Sequence, residues 1–342
     1  MMARSKPEPF TVPDTTHTLS VAPMLDWTDR HARYLLRQIS RRTRLYTEMV
    51  TTGALLHSQP ERWLAYHPEE HPLALQLGGS DPAALAQCTH LANQFSYDEI
   101  NLNVGCPSDR VSAGRFGACL MAEPALVAEC FQAMQSTSDV PITIKTRLGI
   151  DEHNDDAFLY RFMDAITAAG CRVIILHARK AWLKGLSPKQ NREIPPLEYE
   201  RVYAAKARYP ECTIVLNGGV KTLHEARLHL EHIDGVMIGR AAYETPFMLQ
   251  EADRMMFGCN DAPPTRDTII TAYRNYMIDE LRRGTALHHM SRHLLGLFNG
   301  LPGARRFRRH ISENAHRAHA GIEVIDQALT LLGETHHEDH LH

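Results

Sequence analysis

Glu99-Ile-Asn-Leu-Asn-Val-Gly-Cys-Pro-Ser108 alternates apolar Ile100, Leu102 and Val104 with polar Asn101 and Asn103. That period of two is the signature of a β-strand. The run stops at Gly105-Cys106-Pro107, where glycine permits unusual dihedrals and proline cannot continue a ladder. A cysteine is thereby presented just past the C-terminal end of a strand, in a loop that Gly114 and Gly117 are expected to keep open. A lone free cysteine is more often a small buried hydrophobe than a reactive group. Here the neighbours Asn103, Pro107 and Ser108, and the rest of the chain, favour chemistry.

Seven further strand-like runs surround this one, each followed by a helix-like stretch. They are 20–25, 45–50, 72–79, 140–147, 172–178, 213–219 and 235–240. Ser80-Asp-Pro82 reads as an N-cap followed by a first-turn proline, and Asp155-Asp156 precedes the apolar face Phe158, Phe162, Ala165 and Ile166. Eight alternations over roughly 230 residues predict an α/β chain folded as a (β/α)8 TIM barrel. A doubly wound sheet is the rival, but no G-x-G-x-x-G follows any strand. Residues 1–14 read as a disordered N-terminal arm and 15–257 as the catalytic barrel. Residues 258–342 read as a small all-helical domain of three or four helices, interrupted at Gly284 and at Gly300–Gly303, with a His-rich tail from His336.

The whole chain sets wider bounds. Its 342 residues are 44% hydrophobic and 23% charged, ordinary for a soluble globular protein with room for a sizeable core. No apolar run is long enough for a bilayer, so no membrane partner is expected, and no secretory signal opens the chain. Seven cysteines without a C-x-x-C suggest reduced thiols and a cytoplasmic setting. No triplet among the 21 histidines has ligand spacing, and His224-Glu225 fails as a zinc motif because His229 falls one residue late. No metal is expected. The formal charge of −3 announces no nucleic acid, so any such partner must be read from local clusters.

In a TIM barrel, catalytic residues come from the C-terminal ends of strands. Read in order, those ends offer Pro23-Met24-Leu25, Gln76, Asn103 with Cys106, Lys145 with Arg147, His177 with Arg179, Asn217-Gly218-Gly219, and Gly239-Arg240. The last two resemble the phosphate site that barrels build after strands 7 and 8, with close backbone approach at the glycines and a planar cation at Arg240. A phosphate site, a lysine and a histidine on adjacent strands, and an amide at Gln76 suit FMN. In that reading Lys145 answers negative charge on the reduced ring, Gln76 pairs with its amide-like edge, and the Met24 backbone contacts it. A Schiff-base aldolase at Lys145 is the alternative, but it leaves Cys106 without a task.

Two clusters are basic. Arg305, Arg306, Arg308 and Arg309 surround Phe307, with Arg282-Arg283 and Arg292 in the same region. The composition suits phosphate contacts, with base stacking on the aromatic. Lys180, Lys184, Lys189 and Arg192 form a second cluster after the sixth strand.

Several segments together resemble the tRNA-dihydrouridine synthases. They are Ala22-Pro-Met-Leu-Asp-Trp-Thr-Asp29, Asn101–Ser108, Lys145-Thr-Arg147, His177-Ala-Arg179 and Leu216-Asn-Gly-Gly219, and the segment Arg179–Pro196 is similar to the A subfamily. The match runs from about Leu19 to Arg309. The resemblance implies FMN-dependent, NADPH-driven reduction of the C5=C6 bond of uridine in the tRNA D-loop, at positions 20 and 20a. It implies that Cys106 is the proton donor. FMN contacts would fall on Pro23, Met24, Leu25, Gln76, Lys145, His177, Asn217, Gly218, Gly219, Gly239 and Arg240. It makes Asn103, Lys189, Arg192 and Arg308 tRNA contacts, joined by Arg305, Arg306 and Arg309 from the basic cluster, with no obligate protein partner. The competing functions are a flavin barrel acting on a free pyrimidine or other small molecule, and a tRNA-binding module or chaperone without chemistry.

Overall fold

A computed structural model describes residues 15–108 and 114–333, so the N-terminal arm and the His-rich tail lie outside the described residues. Eight parallel strands form one sheet: β1 (Leu19–Val21), β2 (Leu45–Thr51), β3 (Leu73–Gly78), β4 (Glu99–Val104), β5 (Ile142–Arg147), β6 (Val173–His177), β7 (Thr213–Asn217) and β8 (Gly235–Ile238). From β2 to β8 each strand pairs with its sequence neighbour, and β1 pairs with β8. Val21 N donates to Arg44 O at 2.9 Å and Arg44 N to Leu19 O at 3.1 Å, bringing β1 against the start of β2 and closing the barrel. The expected (β/α)8 architecture is the one observed.

The helices between strands begin where short polar side chains satisfy the first free N–H groups. Asp29 accepts from His31 N and Ala32 N to start Arg30–Ile39, Asp81 accepts from Ala84 N to start Pro82–Ala92, and Asp155 accepts from Phe158 N to start Asp156–Ala168. Their apolar faces cover the outside of the barrel. Leu85, Cys88, Val127, Phe131, Leu159, Phe162 and Met163 are buried against Ile100, Leu102, Val104, Ile144 and Leu176 from the strands.

All six residues of β4 are buried, so its alternation does not separate core from solvent. It separates the helix-facing wall from the lumen. In a parallel barrel both sheet faces are covered, and a polar residue inside a strand must find its partners within the barrel. One part of the lumen is apolar, made of Ala22, Tyr46, Ala74, Ile175, Val215 and Met237. The wall formed by β3, β4 and β5 is polar, because register sets Gln76 beside Asn101, Asn101 beside Thr143, and Asn103 beside Lys145.

After Phe257 the described chain is helical. Gly258 adopts a left-handed conformation at φ 66° and ends the helix Ala252–Phe257. Thr265 caps the long helix Arg266–Arg282, and Leu287–Ser291, Ala304–Asn314 and Glu323–Thr330 follow. These helices continue the barrel's apolar core through Ile269, Tyr273, Met290, Leu294, Phe307 and Ile325. Polar contacts bind them to the barrel's first helix. Asp29 pairs with Arg292 at 2.5 Å and His293 at 3.0 Å, His31 Nδ1 meets Tyr276 Oη at 2.7 Å, and Tyr34 stacks on Tyr276 with centroids 4.0 Å apart. Arg30 pairs with Glu280, which is fully buried.

Candidate active site

The strand ends converge on one mouth. Cys106 is half-buried there, its Sγ 3.6 Å from Ser108 Oγ. Its position is set from below by Asn103, whose Oδ1 accepts from both Gly105 N and Cys106 N at 3.0 Å. Asn103 Nδ2 donates in turn to Gln76 Oε1 at 2.8 Å. The loop is held from the other side by Arg147. Its Nε donates to Gly105 O at 2.8 Å, while Nη1 donates to Lys180 O at 3.0 Å and Asn191 O at 3.2 Å. A buried arginine satisfied by three carbonyls from two loops is a clamp, and Arg147 was expected merely at a strand end. Asn191 completes the clamp: it is fully buried and its side chain bonds Trp182 N and the carbonyls of Trp182 and Leu186, folding the loop after β6 onto itself.

Lys145 lies one strand over from Asn103 and has neither ion pair nor side-chain hydrogen bond among the described residues. Burial, then the Arg147 guanidinium, push its ammonium down to about 7. His177 is buried and held well below its usual value by desolvation first and then by Arg147 and Lys145, so the imidazole is neutral. The mouth also carries Arg179, Arg192 and Arg240, against which Glu193 sets its carboxylate, 2.6 Å from Arg240 Nη1. Among the described residues of the mouth cations outnumber acids, and the rim suits an anion.

The other expected contacts lie on this rim with roles of their own in the fold. Met24 N donates to Thr28 Oγ1 at 2.9 Å and Met24 O accepts from Trp27 and Thr28, so both main-chain groups are engaged in a turn. Leu25 beside it is 69% exposed. Asn217 Nδ2 donates to Met237 O at 2.8 Å. Gly218 and Gly219 adopt φ 112° and 80°, and a Cβ at Gly218 would stand 2.7 Å from the His177 ring. Glycine is required there by backbone conformation and by the chain's own packing. A Cβ on Gly239 would meet nothing closer than 3.8 Å. A cavity of about 290 Å³ lies further round the rim, lined by Thr51, Gly78, Gly79, Asp81 and Phe116.

The basic clusters separate into parts. Lys189 and Arg192 are exposed on the loop after β6. In Ala304–Asn314, Arg305 and Arg309 are exposed one turn apart, and Arg309 pairs with Glu313 at 2.8 Å. Arg308 donates to Asn299 Oδ1 at 2.6 Å, and Arg306 donates to Leu331 O at 3.3 Å. The expectation of a stacking aromatic fails. Phe307 is fully buried, edge-on to Phe298 at 4.8 Å, because it shares the helix's apolar face with Ala304 and Ile311. Arg283 pairs with buried Glu280 and Arg292 with Asp29, while Arg282 meets Asp279 in an exposed pair like that of Arg309 with Glu313.

Residues 20–332 match the family model described as dihydrouridine synthase. The chain belongs to the dihydrouridine synthase family. Among curated relatives, the tRNA-dihydrouridine(20/20a) synthase of Vibrio cholerae is 58% identical over 320 residues, covering 93% of this chain and 98% of that one. The Escherichia coli K12 protein of the same name is 57% identical over 316 residues, covering 92% and 91%. Among solved structures, an old yellow enzyme homologue from Zymomonas mobilis aligns with a TM-score of 0.50 at 11% identity, covering 75% of this chain and 94% of that one, a likeness of fold.

For this dihydrouridine synthase, three residues escaped the reading of strand ends. Glu193 opposes Arg240, Asn191 folds the β6 loop, and Glu99 lies deep in the lumen. The signal for Glu99 was available: it continues the Asn101, Asn103 alternation downward and therefore faces inward.

Proposed function

We infer that the chain reduces the C5=C6 bond of uridine to 5,6-dihydrouridine in the D-loop of tRNA, at positions 20 and 20a, with FMN as cofactor and NADPH as reductant. The observation that carries the reading is the presentation of Cys106 beside Lys145 in a mouth where cations outnumber acids, in a chain of the dihydrouridine synthase family. FMN suits this donor set, because an unpaired lysine, a neutral histidine and Arg240 offer donors and positive charge to a phosphate and an electron-rich ring. FMN, when bound, supplies the hydride delivered to C6 of the uracil.

The chain's residues do the rest. Reduction at C6 leaves enolate-like charge on the uracil, and the Cys106 thiol gives its proton to C5. Lys145 and His177 hold the cofactor ring, with Gln76, Pro23, Met24 and Leu25 around it. Asn217, Gly218, Gly219, Gly239 and Arg240 form the phosphate end, which requires Arg240 to leave Glu193. Asn103, Lys189 and Arg192 meet the extruded nucleotide, since a stacked base cannot enter a barrel mouth. We assign residues 15–257 to the catalytic domain and 258–342 to a tRNA-binding domain gripping phosphates through Arg305, Arg306, Arg308 and Arg309, in a cytoplasmic enzyme. Among the described residues no helix is long and apolar enough to cross a membrane.

The test is direct. Purified protein should carry flavin absorbance or take up FMN, and with NADPH should form dihydrouridine in tRNA lacking it, at positions 20 and 20a. Protein that takes up no flavin, or leaves those uridines unchanged, defeats the reading.

A further inference from the structure

Beneath Cys106 the polar wall is a single file of side-chain hydrogen bonds. Cys106 N donates to Asn103 Oδ1 at 3.0 Å, Asn103 Nδ2 to Gln76 Oε1 at 2.8 Å, and Gln76 Nε2 to Asn101 Oδ1 at 2.8 Å. Asn101 Nδ2 then donates to Thr143 Oγ1 at 2.8 Å, and Thr143 Oγ1 to Glu99 Oε1 at 2.6 Å. Every member from Asn103 to Glu99 is buried, with 8% exposure at the top and 1% or less below.

The direction of the file is dictated from both ends. An ionised carboxylate only accepts, and a threonine hydroxyl has one proton. Tyr46 Oη also donates to Glu99 Oε1, at 2.8 Å, while Arg44 and His17 stand 3.4 and 3.5 Å from Oε2. Burial and the Glu99 charge push the Tyr46 hydroxyl well above its usual value, so it stays a donor. Thr143 therefore spends its proton on Glu99 and can only accept from Asn101. That fixes which way the Asn101 amide faces, and through it Gln76 and then Asn103. At the top, two main-chain N–H groups require an oxygen. A flipped amide at any link would set donor against donor among buried side chains.

We propose that Glu99 is a positioning residue for the reaction: through Thr143, Asn101, Gln76 and Asn103 it fixes the orientation of the loop that carries Cys106. This rests on the reading of Cys106 as proton donor under Proposed function. Glu99 stands five hydrogen bonds from the Cys106 amide and touches neither substrate nor cofactor.

The test cuts the file at Thr143, away from Glu99's own charge partners. Thr143→Val keeps the shape and removes the hydroxyl, while Thr143→Ser keeps the hydroxyl. Protein labelled with 15N-cysteine gives an amide resonance for Cys106, assigned by its disappearance in Cys106→Ala. Thr143→Val should move that resonance and speed exchange of its amide hydrogen, and Thr143→Ser should leave both near wild type. At saturating FMN, oxidation of the reduced enzyme by tRNA in a single turnover should slow about tenfold or more in Thr143→Val. NADPH reduction should fall less than oxidation by tRNA, since Gln76 is the file's one link to the cofactor ring and only the oxidation half-reaction uses Cys106. An unmoved Cys106 resonance, or a wild-type rate of oxidation by tRNA in Thr143→Val, overturns the proposal. If Cys106→Ala itself forms dihydrouridine at the wild-type rate, the proton-donor reading has failed, and the Cys106 amide in the threonine variants still judges the file. Glu99→Gln, which can donate as well as accept, should reproduce the shift and give the second measurement.

Discussion

Two side chains at the mouth, Cys106 and Lys145, carry separate predictions of the proposed function. Cys106→Ala should leave FMN and tRNA binding intact and slow oxidation of the reduced enzyme by tRNA by about 10²–10⁴-fold, the usual range for a general acid. Wild-type single-turnover kinetics would remove it from the mechanism. Lys145 has a consequence for the flavin-free protein. With its ammonium pushed down to about 7, the folded state binds fewer protons than the unfolded chain between about pH 7 and 10.5. Stability therefore rises with pH across that window, and the full cost is present below it. Each unit of displacement corresponds to about 1.4 kcal/mol between the protonation states, although part of the side chain reaches solvent and only a fraction is felt. Lys145→Met should accordingly raise the melting temperature of the apoprotein at pH 6–7 by roughly 1–2 °C per kcal/mol removed, with the gain shrinking toward pH 10. Thermal melts across a pH series decide it. A gain independent of pH would mean the lysine's charge is not what costs stability.

At the scale of strands and loops, the sequence was most legible where periodicity and punctuation agree. Seven of the eight strands begin and end within two residues of where their apolar runs and terminal glycines or prolines put them, while β1 stops at Val21, four residues short of Leu25. The helix starts at Asp81 and Asp155 were visible as caps. Which residues share the lumen was less legible, since that depends on register across strands, and single-strand patterns carry none of it. Gln76, Asn101 and Thr143 meet because β3, β4 and β5 align them. Phe307 shows the opposite limit: a neighbourhood of arginines suggested stacking, while helical periodicity with Ala304 and Ile311 placed it in the core. The Arg147 clamp belongs to this scale. Its guanidinium reaches carbonyls of Gly105, Lys180 and Asn191, a geometry a lysine's single ammonium does not reproduce. Arg147→Lys should therefore behave like Arg147→Met rather than like wild type, costing about 1–3 kcal/mol as buried carbonyls lose a partner. Hydrogen exchange should rise in 104–108 and 180–192 and hold steady in the helices outside the barrel. Protection retained in both loops would assign the clamp to another residue.

Across the whole molecule, a chain with a formal charge of −3 must hold a polyanion by local surfaces. The described structure narrows the candidates in the helical region. Arg283 is held by buried Glu280, and Arg292 on Asp29 ties the helices to the barrel. Arg305 and Arg309 are exposed one turn apart on Ala304–Asn314, and the exposed pair of Arg309 with Glu313 is of the kind worth little in water. A phosphate can therefore displace Glu313 at small cost. Replacing both arginines with glutamine should weaken tRNA binding and flatten its dependence on salt by roughly 0.7–0.9 log units of slope for each phosphate no longer neutralised. The fold should survive, because Phe307, Ala304 and Ile311 carry the packing of that helix. NADPH reduction of the enzyme should be untouched, since this half-reaction needs no tRNA. Binding measured across a salt series separates the outcomes. An unaltered slope would make the pair a plain solvated face, and a fall in NADPH oxidation would make it a structural link to the barrel.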